Sequence, residues 1–364
     1  MRYGCVRDSH RLNVGEPVGI RQSRKNLLAK RSVIAKTIRY LDMFSGMGGF
    51  REGLTRAGDF ACVGHCEIDR QAEKSYRTLF DTEGEWYCED IRTVKPEELP
   101  EFDLLCGGFP CQSFSTAGRR GGFGDPRGTL FFELARLAEA RKPPYLLFEN
   151  VPGLLHHDEG RTFAAILHTL EGMGYGVEWQ VLNSRDFGVP QSRKRVYLVG
   201  YLDVRCRGKI FPFTETAGTP LKQVLAGSQG GRVYSAEGVS CTLTAQTGGV
   251  GGKTGLYALP CCVDLNESPE FTQYARCLIA KQDGGIHHHK REASGVWDGC
   301  RIRRLTPREC LRLQGWKDER IDLILPLHSD TQLYKQAGNG VTVNVVEAIG
   351  KRLAALHREA TAID

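Results

Sequence analysis

Chemistry in this chain centres on Gly107-Gly108-Phe109-Pro110-Cys111-Gln112. Pro110 fixes its own φ and biases Phe109 towards extended backbone, so Cys111 leaves the turn in a defined direction. A thiol held this way becomes a nucleophile once a neighbour lowers its pKa, because the thiolate is the reactive form. Alone, a Pro-Cys turn is more often a buried structural cysteine, so partners decide the matter. Glu149-Asn150-Val151 supplies an acid after the apolar run Tyr145-Leu146-Leu147-Phe148. Gln191-Ser192-Arg193-Lys194-Arg195 supplies two guanidinium groups ahead of the apolar run Val196 to Val199. Alternation along a strand sends Arg193 and Arg195 to one face, where they suit a base carbonyl and a phosphate, or a surface ion pair.

The elements that must position these groups alternate between strands and helices. Ile38 to Phe44 predicts a strand running into Ser45-Gly46-Met47-Gly48-Gly49-Phe50, with helical periodicity through Leu54. Strand, glycine-rich turn and helix start form a nucleotide-cofactor cradle, since backbone approaches a ligand closely where no side chain intervenes. A second strand, Phe60 to His65, leads to Glu67, placed to bond ribose hydroxyls. A third, Trp86 to Cys88, leads to Asp90, placed to accept from an adenine amine. The run Phe102 to Cys106 predicts a strand ended by Gly107 and Gly108, which sets Cys111 at the carboxyl end of a sheet, where open α/β folds bind ligands. Helices are expected at 129–140 and 161–170, and a strand at 177–182. Thr306 with Pro307 and Glu309 carries a helix-capping signature.

In this order the segments resemble the cytosine-5 DNA methyltransferases, the S-adenosylmethionine-dependent enzymes of bacterial restriction–modification. The resemblance runs from residue 38 to about residue 355. It rests on Phe44-x-Gly46-x-Gly48-Gly49, Pro110-Cys111-Gln112, Glu149-Asn150-Val151, Gln191-x-Arg193-x-Arg195, the Thr242-Leu243-Thr244 element, Arg303-x-Leu305-Thr306-Pro307 and Gln336-Ala337-Gly338-Asn339. It implies an α/β fold with a doubly wound, mostly parallel sheet of the class I methyltransferase kind, and a smaller irregular target-recognition domain. Cys111 is then the nucleophile, with Glu149, Arg193 and Arg195 acting on the base. Phe44, Gly46, Met47 and Gly49 fall on the cofactor, as do Glu67, Ile68, Asp90 and Ile91. Gly108, Pro110 and Leu130 border it, and Asn339 lies beside the methionine moiety. The implied reaction transfers a methyl group to carbon-5 of a flipped-out cytosine in a specific double-stranded DNA sequence, through a covalent Cys111 adduct. A cognate restriction endonuclease acting on the same site is the implied partner.

The expected domains are a basic extension at 1–37, a catalytic and cofactor domain at 38–205 completed by 330–364, and a target-recognition domain at 206–329. Residues 1–37 carry a formal charge of +7 out of +6 for the whole chain, so the remainder is −1. A basic arm on a near-neutral body suits a polyanion. Arg119, Arg120 and Arg127, in a glycine-rich loop beside Cys111, are expected on phosphates, with Thr242, Thr244 and Arg303 contacting DNA. No apolar run is long enough to span a bilayer, which predicts a cytoplasmic, nucleoid-associated protein without a membrane role. Thirteen cysteines without a Cys-x-x-Cys pair fit free thiols, and no functional metal is expected. Pro143-Pro144-Tyr145 resembles the amino-methyltransferase motif, but Lys142 stands where a proton acceptor is required, which excludes amino-group methylation. A transfer-RNA cytosine-5 methyltransferase and a catalytically silent DNA-binding regulator are the alternatives. The long stretch 211–300 disfavours the first, and the intact Cys111, Glu149 and Arg195 disfavour the second.

Overall fold

The computed structural model describes residues 37–110, 130–214 and 306–363, with the backbone of six short strands between 223 and 295. Strands β1 (Ile38–Met43), β2 (Phe60–Cys66), β3 (Trp86–Cys88), β4 (Leu104–Gly108) and β5 (Tyr145–Asn150) run parallel. β7 (Lys194–Tyr201) lies antiparallel between β5 and β6 (Gly176–Asn183). The order is β3-β2-β1-β4-β5-β7-β6. Chain direction across the sheet reverses between β1 and β4, the point at which open α/β sheets bind ligands.

Alternation along β1 feeds two apolar layers. Tyr40 packs with Phe50 and Leu54 of α1 (Gly49–Ala57) and with Val345, Ile349 and Leu353 of α8 (Val343–Ile363). Leu41 and Met43 pack on the other face with Phe131 and Leu134 of α3 (Leu130–Arg141) and Ile166 and Leu170 of α4 (Arg161–Gly172). Helices on both faces of a mostly parallel sheet satisfy the doubly wound expectation.

One expectation needs correction. The strand does not stop before its glycines: Gly107 and Gly108 belong to β4, pairing with Phe148 and Glu149, and Gly108 is its last residue. A Cβ at Gly107 would lie 2.6 Å from the Met43 carbonyl oxygen, so the glycine permits close approach of β1 and β4 rather than breaking the strand. Packing also joins residues on either side of the stretch 215–305. α5 (Pro307–Leu313) and α6 (Asp318–Ile324) bury Cys310, Leu311, Ile321 and Ile324 in one cluster with Met47 and with Tyr76 and Leu79 of α2 (Arg70–Leu79). α7 (Asp330–Asn339) adds Leu333 and Tyr334. Cys206, Ile210 and Phe211 are buried against the sheet. The described residues just past 205 and from 306 onward therefore pack with the sheet and its helices. The Thr306 cap forms as expected: its hydroxyl accepts from the Glu309 N–H while the Glu309 carboxylate accepts from the Thr306 N–H. Between these segments lie two three-stranded sheets made from strands of two or three residues, β8 to β13 (Gln223–Leu225, Val233–Ser235, Leu256–Ala258, Cys262–Asp264, Glu270–Thr272, Ser294–Gly295).

Candidate active site

Adjacent strand ends assemble the base-side chemistry. Glu149 sits one residue from the end of β5, opposite Gly108 on β4 and Tyr197 on β7. Arg195 Nε donates to Glu149 Oε1 at 3.0 Å, and both side chains are 13% exposed. A charge-assisted bond of this length in a half-buried setting holds both groups in place before any substrate arrives. A Cβ at Gly108 would fall 3.2 Å from Glu149 Oε2, so the missing side chain leaves that oxygen its room. Asn150 is buried, and its Nδ2 donates to the Phe109 carbonyl at 3.0 Å while its Oδ1 accepts from the Val151 N–H at 2.8 Å. The Phe109 ring is wedged between Phe131 and Phe148. Phe109 is thereby fixed by one hydrogen bond and two aromatic neighbours, and the exposed Pro110 follows. Cys111 itself lies outside the described residues.

Arg193 does not end where Arg195 does. Burial, and after it the charge of Arg195, lowers the Arg193 pKa to about 9. Arg193 precedes β7 and is 2% exposed. Its Nη2 donates to the Gly338 and Gly340 carbonyls at 3.0 and 2.9 Å. The guanidinium stays charged at neutral pH and spends donors on backbone oxygens of the 338–340 turn.

The cofactor-side groups line the ends of β1, β2 and β3. Phe44 takes φ 54°, a conformation rarely adopted by a bulky side chain, and Gly46 follows at φ 57° with open space where a Cβ would stand. The Gly46 N–H donates to Glu67 Oε2 and the Asp69 N–H to Glu67 Oε1, each at 2.7 Å. Burial pushes the Glu67 carboxyl above its ordinary pKa, against the pull of those two N–H groups. Ile68 is 59% exposed, an apolar side chain on the lip, whereas Ile91 is buried. Asp90 caps a short turn through the Arg92 N–H and pairs with the Arg92 guanidinium, which holds its carboxyl below the usual range. Met47 is buried beneath the cradle, Leu130 opens α3 half-buried, and Asn339 is exposed at the end of α7.

Residues 38–355 match the model of the C-5 cytosine-specific DNA methylases. The chain belongs to that family. It is 35% identical over 323 residues to the Type II methyltransferase M.SsoII of Shigella sonnei, covering 86% of this chain and 79% of that protein. With the Type II methyltransferase M.NlaX of Neisseria lactamica it shares 36% identity over 330 residues, covering 86% and 96%. The fold matches that of the Entamoeba histolytica methyltransferase EhMeth with a TM-score of 0.64 at 18% identity, over 87% of this chain and 98% of that one. As a C-5 cytosine-specific DNA methylase, the enzyme takes its methyl group from S-adenosylmethionine.

Arg119, Arg120, Arg127, Thr242, Thr244 and Arg303 lie outside the described residues, as does the basic arm before residue 37. Two positioning residues escaped the sequence reading. Asn150 follows Glu149 in a motif already singled out, and its alternation onto the opposite side from Glu149 was the available signal. Gln314 has no such signal, because its partners, the Ala337 carbonyl and the Thr342 hydroxyl, lie more than twenty residues on. Among the described residues no helix is long and apolar enough to cross a membrane.

Proposed function

We propose that this methylase acts on one specific double-stranded DNA sequence by covalent addition of Cys111 to the target cytosine. The observation that carries this reading is the Arg195–Glu149 pair, fixed at the sheet's carboxyl end beside the Phe109-Pro110 segment that leads directly to Cys111. Cytosine carbon-5 is a poor nucleophile. Addition of the thiolate to carbon-6 forms a C–S bond and makes carbon-5 enamine-like. Glu149, after taking up a proton from solvent, offsets the charge developing on the ring by donating that proton to nitrogen-3, and Arg195 holds the base carbonyl. S-adenosylmethionine, when bound, supplies the methyl group as an electrophilic sulfonium substituent. Loss of the carbon-5 proton to a base and elimination of Cys111 then restore the aromatic ring. A base inside a duplex cannot reach these groups, so the nucleotide is flipped out.

The cradle fits that donor. Open space at Gly46 admits it close to backbone, the Glu67 carboxylate has lone pairs left for ribose hydroxyls, and the exposed Ile68 offers an apolar face to adenine. The small strands between 223 and 295 carry target recognition, and the arginines at 119–127 and in the leading arm supply phosphate contacts. The enzyme works in the cytoplasm on nucleoid DNA, and the Type II relatives suggest a cognate endonuclease. Incubation of the purified enzyme with labelled S-adenosylmethionine and either duplex DNA or a transfer-RNA transcript tests the substrate. Label recovered as 5-methylcytosine at one recurrent DNA sequence is expected. Label on the transcript alone would overturn the reading.

A further inference from the structure

A buried polar lattice ties the base side to the segment that closes the cofactor site. Arg193 holds the Gly338 and Gly340 carbonyls from one direction. Gln314, 1% exposed and next after α5, holds the same turn from the other. Its Nε2 donates to the Ala337 carbonyl, its Oε1 accepts from the Thr342 hydroxyl at 2.9 Å, and its carbonyl accepts from the Val343 N–H at 3.0 Å. Thr342 in turn shares a 2.8 Å hydrogen bond with Ser184, whose own hydroxyl reaches the Arg193 carbonyl. The Arg193 N–H donates to Asn183 Oδ1 at 2.9 Å. The turn so gripped carries the exposed Asn339, and Val341 behind it packs directly on the cradle: a Cβ on Gly49 would meet Val341 Cγ1 at 2.7 Å.

We propose that Arg193 and Gln314 are positioning residues that clamp the 337–342 turn against the cofactor cradle, so that their loss weakens S-adenosylmethionine binding while thiolate addition to the base persists. The inference rests on the covalent reading above and deepens it. Two features argue against a base contact by Arg193: its side chain is buried, and one guanidinium nitrogen already serves two carbonyls of the turn. A buried carbonyl deprived of its donor is disfavoured, so the turn shifts when either clamp is removed. The glutamine enters from the segment just after the recognition region, and the arginine lies two residues from Arg195. The clamp therefore makes the turn's position depend on both neighbours.

The test pairs Arg193→Lys and Gln314→Met with Arg195→Lys as the contrasting variant. Each is checked for folding by its melting curve, and two quantities are read. One is the affinity for S-adenosylmethionine by calorimetry. The other is release of tritium from carbon-5 of cytosine in DNA with no cofactor present, which reports thiolate addition followed by proton exchange at carbon-5, without methyl transfer. Arg193→Lys and Gln314→Met should bind the cofactor about tenfold or more weakly, as expected for a lost hydrogen bond to a charged or buried group. Their tritium exchange should stay within about threefold of the parent, an effect under one hydrogen bond in size. Arg195→Lys should do the reverse. Exchange lost in Arg193→Lys with cofactor affinity intact would place Arg193 on the base and overturn the proposal. Equal losses of both in the clamp variants, or no change in either, would also overturn it. If the parent enzyme itself releases no tritium, the covalent reading fails, and unchanged cofactor affinity in both clamp variants would then separately sink the clamp.

Discussion

The proposed base side and cofactor side of this site are built differently. On the base side, Glu149 and Arg195 stand on neighbouring strands and neutralise each other at 3.0 Å, each shielded by the sheet. On the cofactor side, Glu67 and Asp90 lie just beyond strand ends, and their oxygens are engaged by local backbone N–H groups and by Arg92. Strand-borne groups cannot shift without the sheet shifting, whereas loop-borne carboxylates shape a surface. The difference follows from what each side must do. Stabilising charge that develops during a reaction requires groups fixed beforehand in a water-poor setting. Holding a cofactor requires shape, an apolar lip and spare hydrogen-bonding capacity.

Breaking the base side should cost most. Glu149→Gln removes the carboxyl that acts on nitrogen-3 and leaves Arg195 without its charged partner. Methyl transfer should fall by roughly 10²–10⁴-fold, the usual range for a positioned acid, while cofactor affinity holds. Steady-state rates and calorimetry on one preparation check both halves, and a loss of affinity equal to the loss of rate would erase the contrast. On the cofactor side, Glu67→Ala strands the Gly46 and Asp69 N–H groups and removes the ribose acceptor. Affinity should drop by about 1–3 kcal/mol, with thiolate addition to DNA retained. Ile68→Ala should be the mildest. An exposed side chain changes stability by about 0.5 kcal/mol or less, so the melting temperature should hold while cofactor affinity falls a few-fold. A changed melting temperature with unchanged affinity would remove Ile68 from the lip.

Much of this arrangement could be read from sequence because strand ends are marked locally. The apolar runs before Glu67, Asp90 and Glu149 each became a parallel strand, and the capping signature at Thr306 formed as written. What could not be read depends on distant partners. Gly107 looks like a strand terminator until the Met43 carbonyl is placed beside it. α5 and α6 follow the recognition region in sequence, yet their apolar faces find Met47, Tyr76 and Leu79, more than two hundred residues earlier. No pattern of side chains announces that Arg193, just ahead of β7, donates to the backbone carbonyls of Gly338 and Gly340.

The central claim is that the fixed Glu149–Arg195 pair serves covalent addition of Cys111 to the base. DNA carrying 5-fluorocytosine at the target position probes it directly, because fluorine at carbon-5 cannot leave as a proton and the C–S bond cannot be eliminated after methyl transfer. Denaturing electrophoresis with S-adenosylmethionine present should show a protein–DNA adduct with the parent enzyme and none with Cys111→Ser, whose hydroxyl is a far weaker nucleophile. An adduct that persists in Cys111→Ser, or no adduct from a parent enzyme that methylates ordinary DNA, would contradict the account.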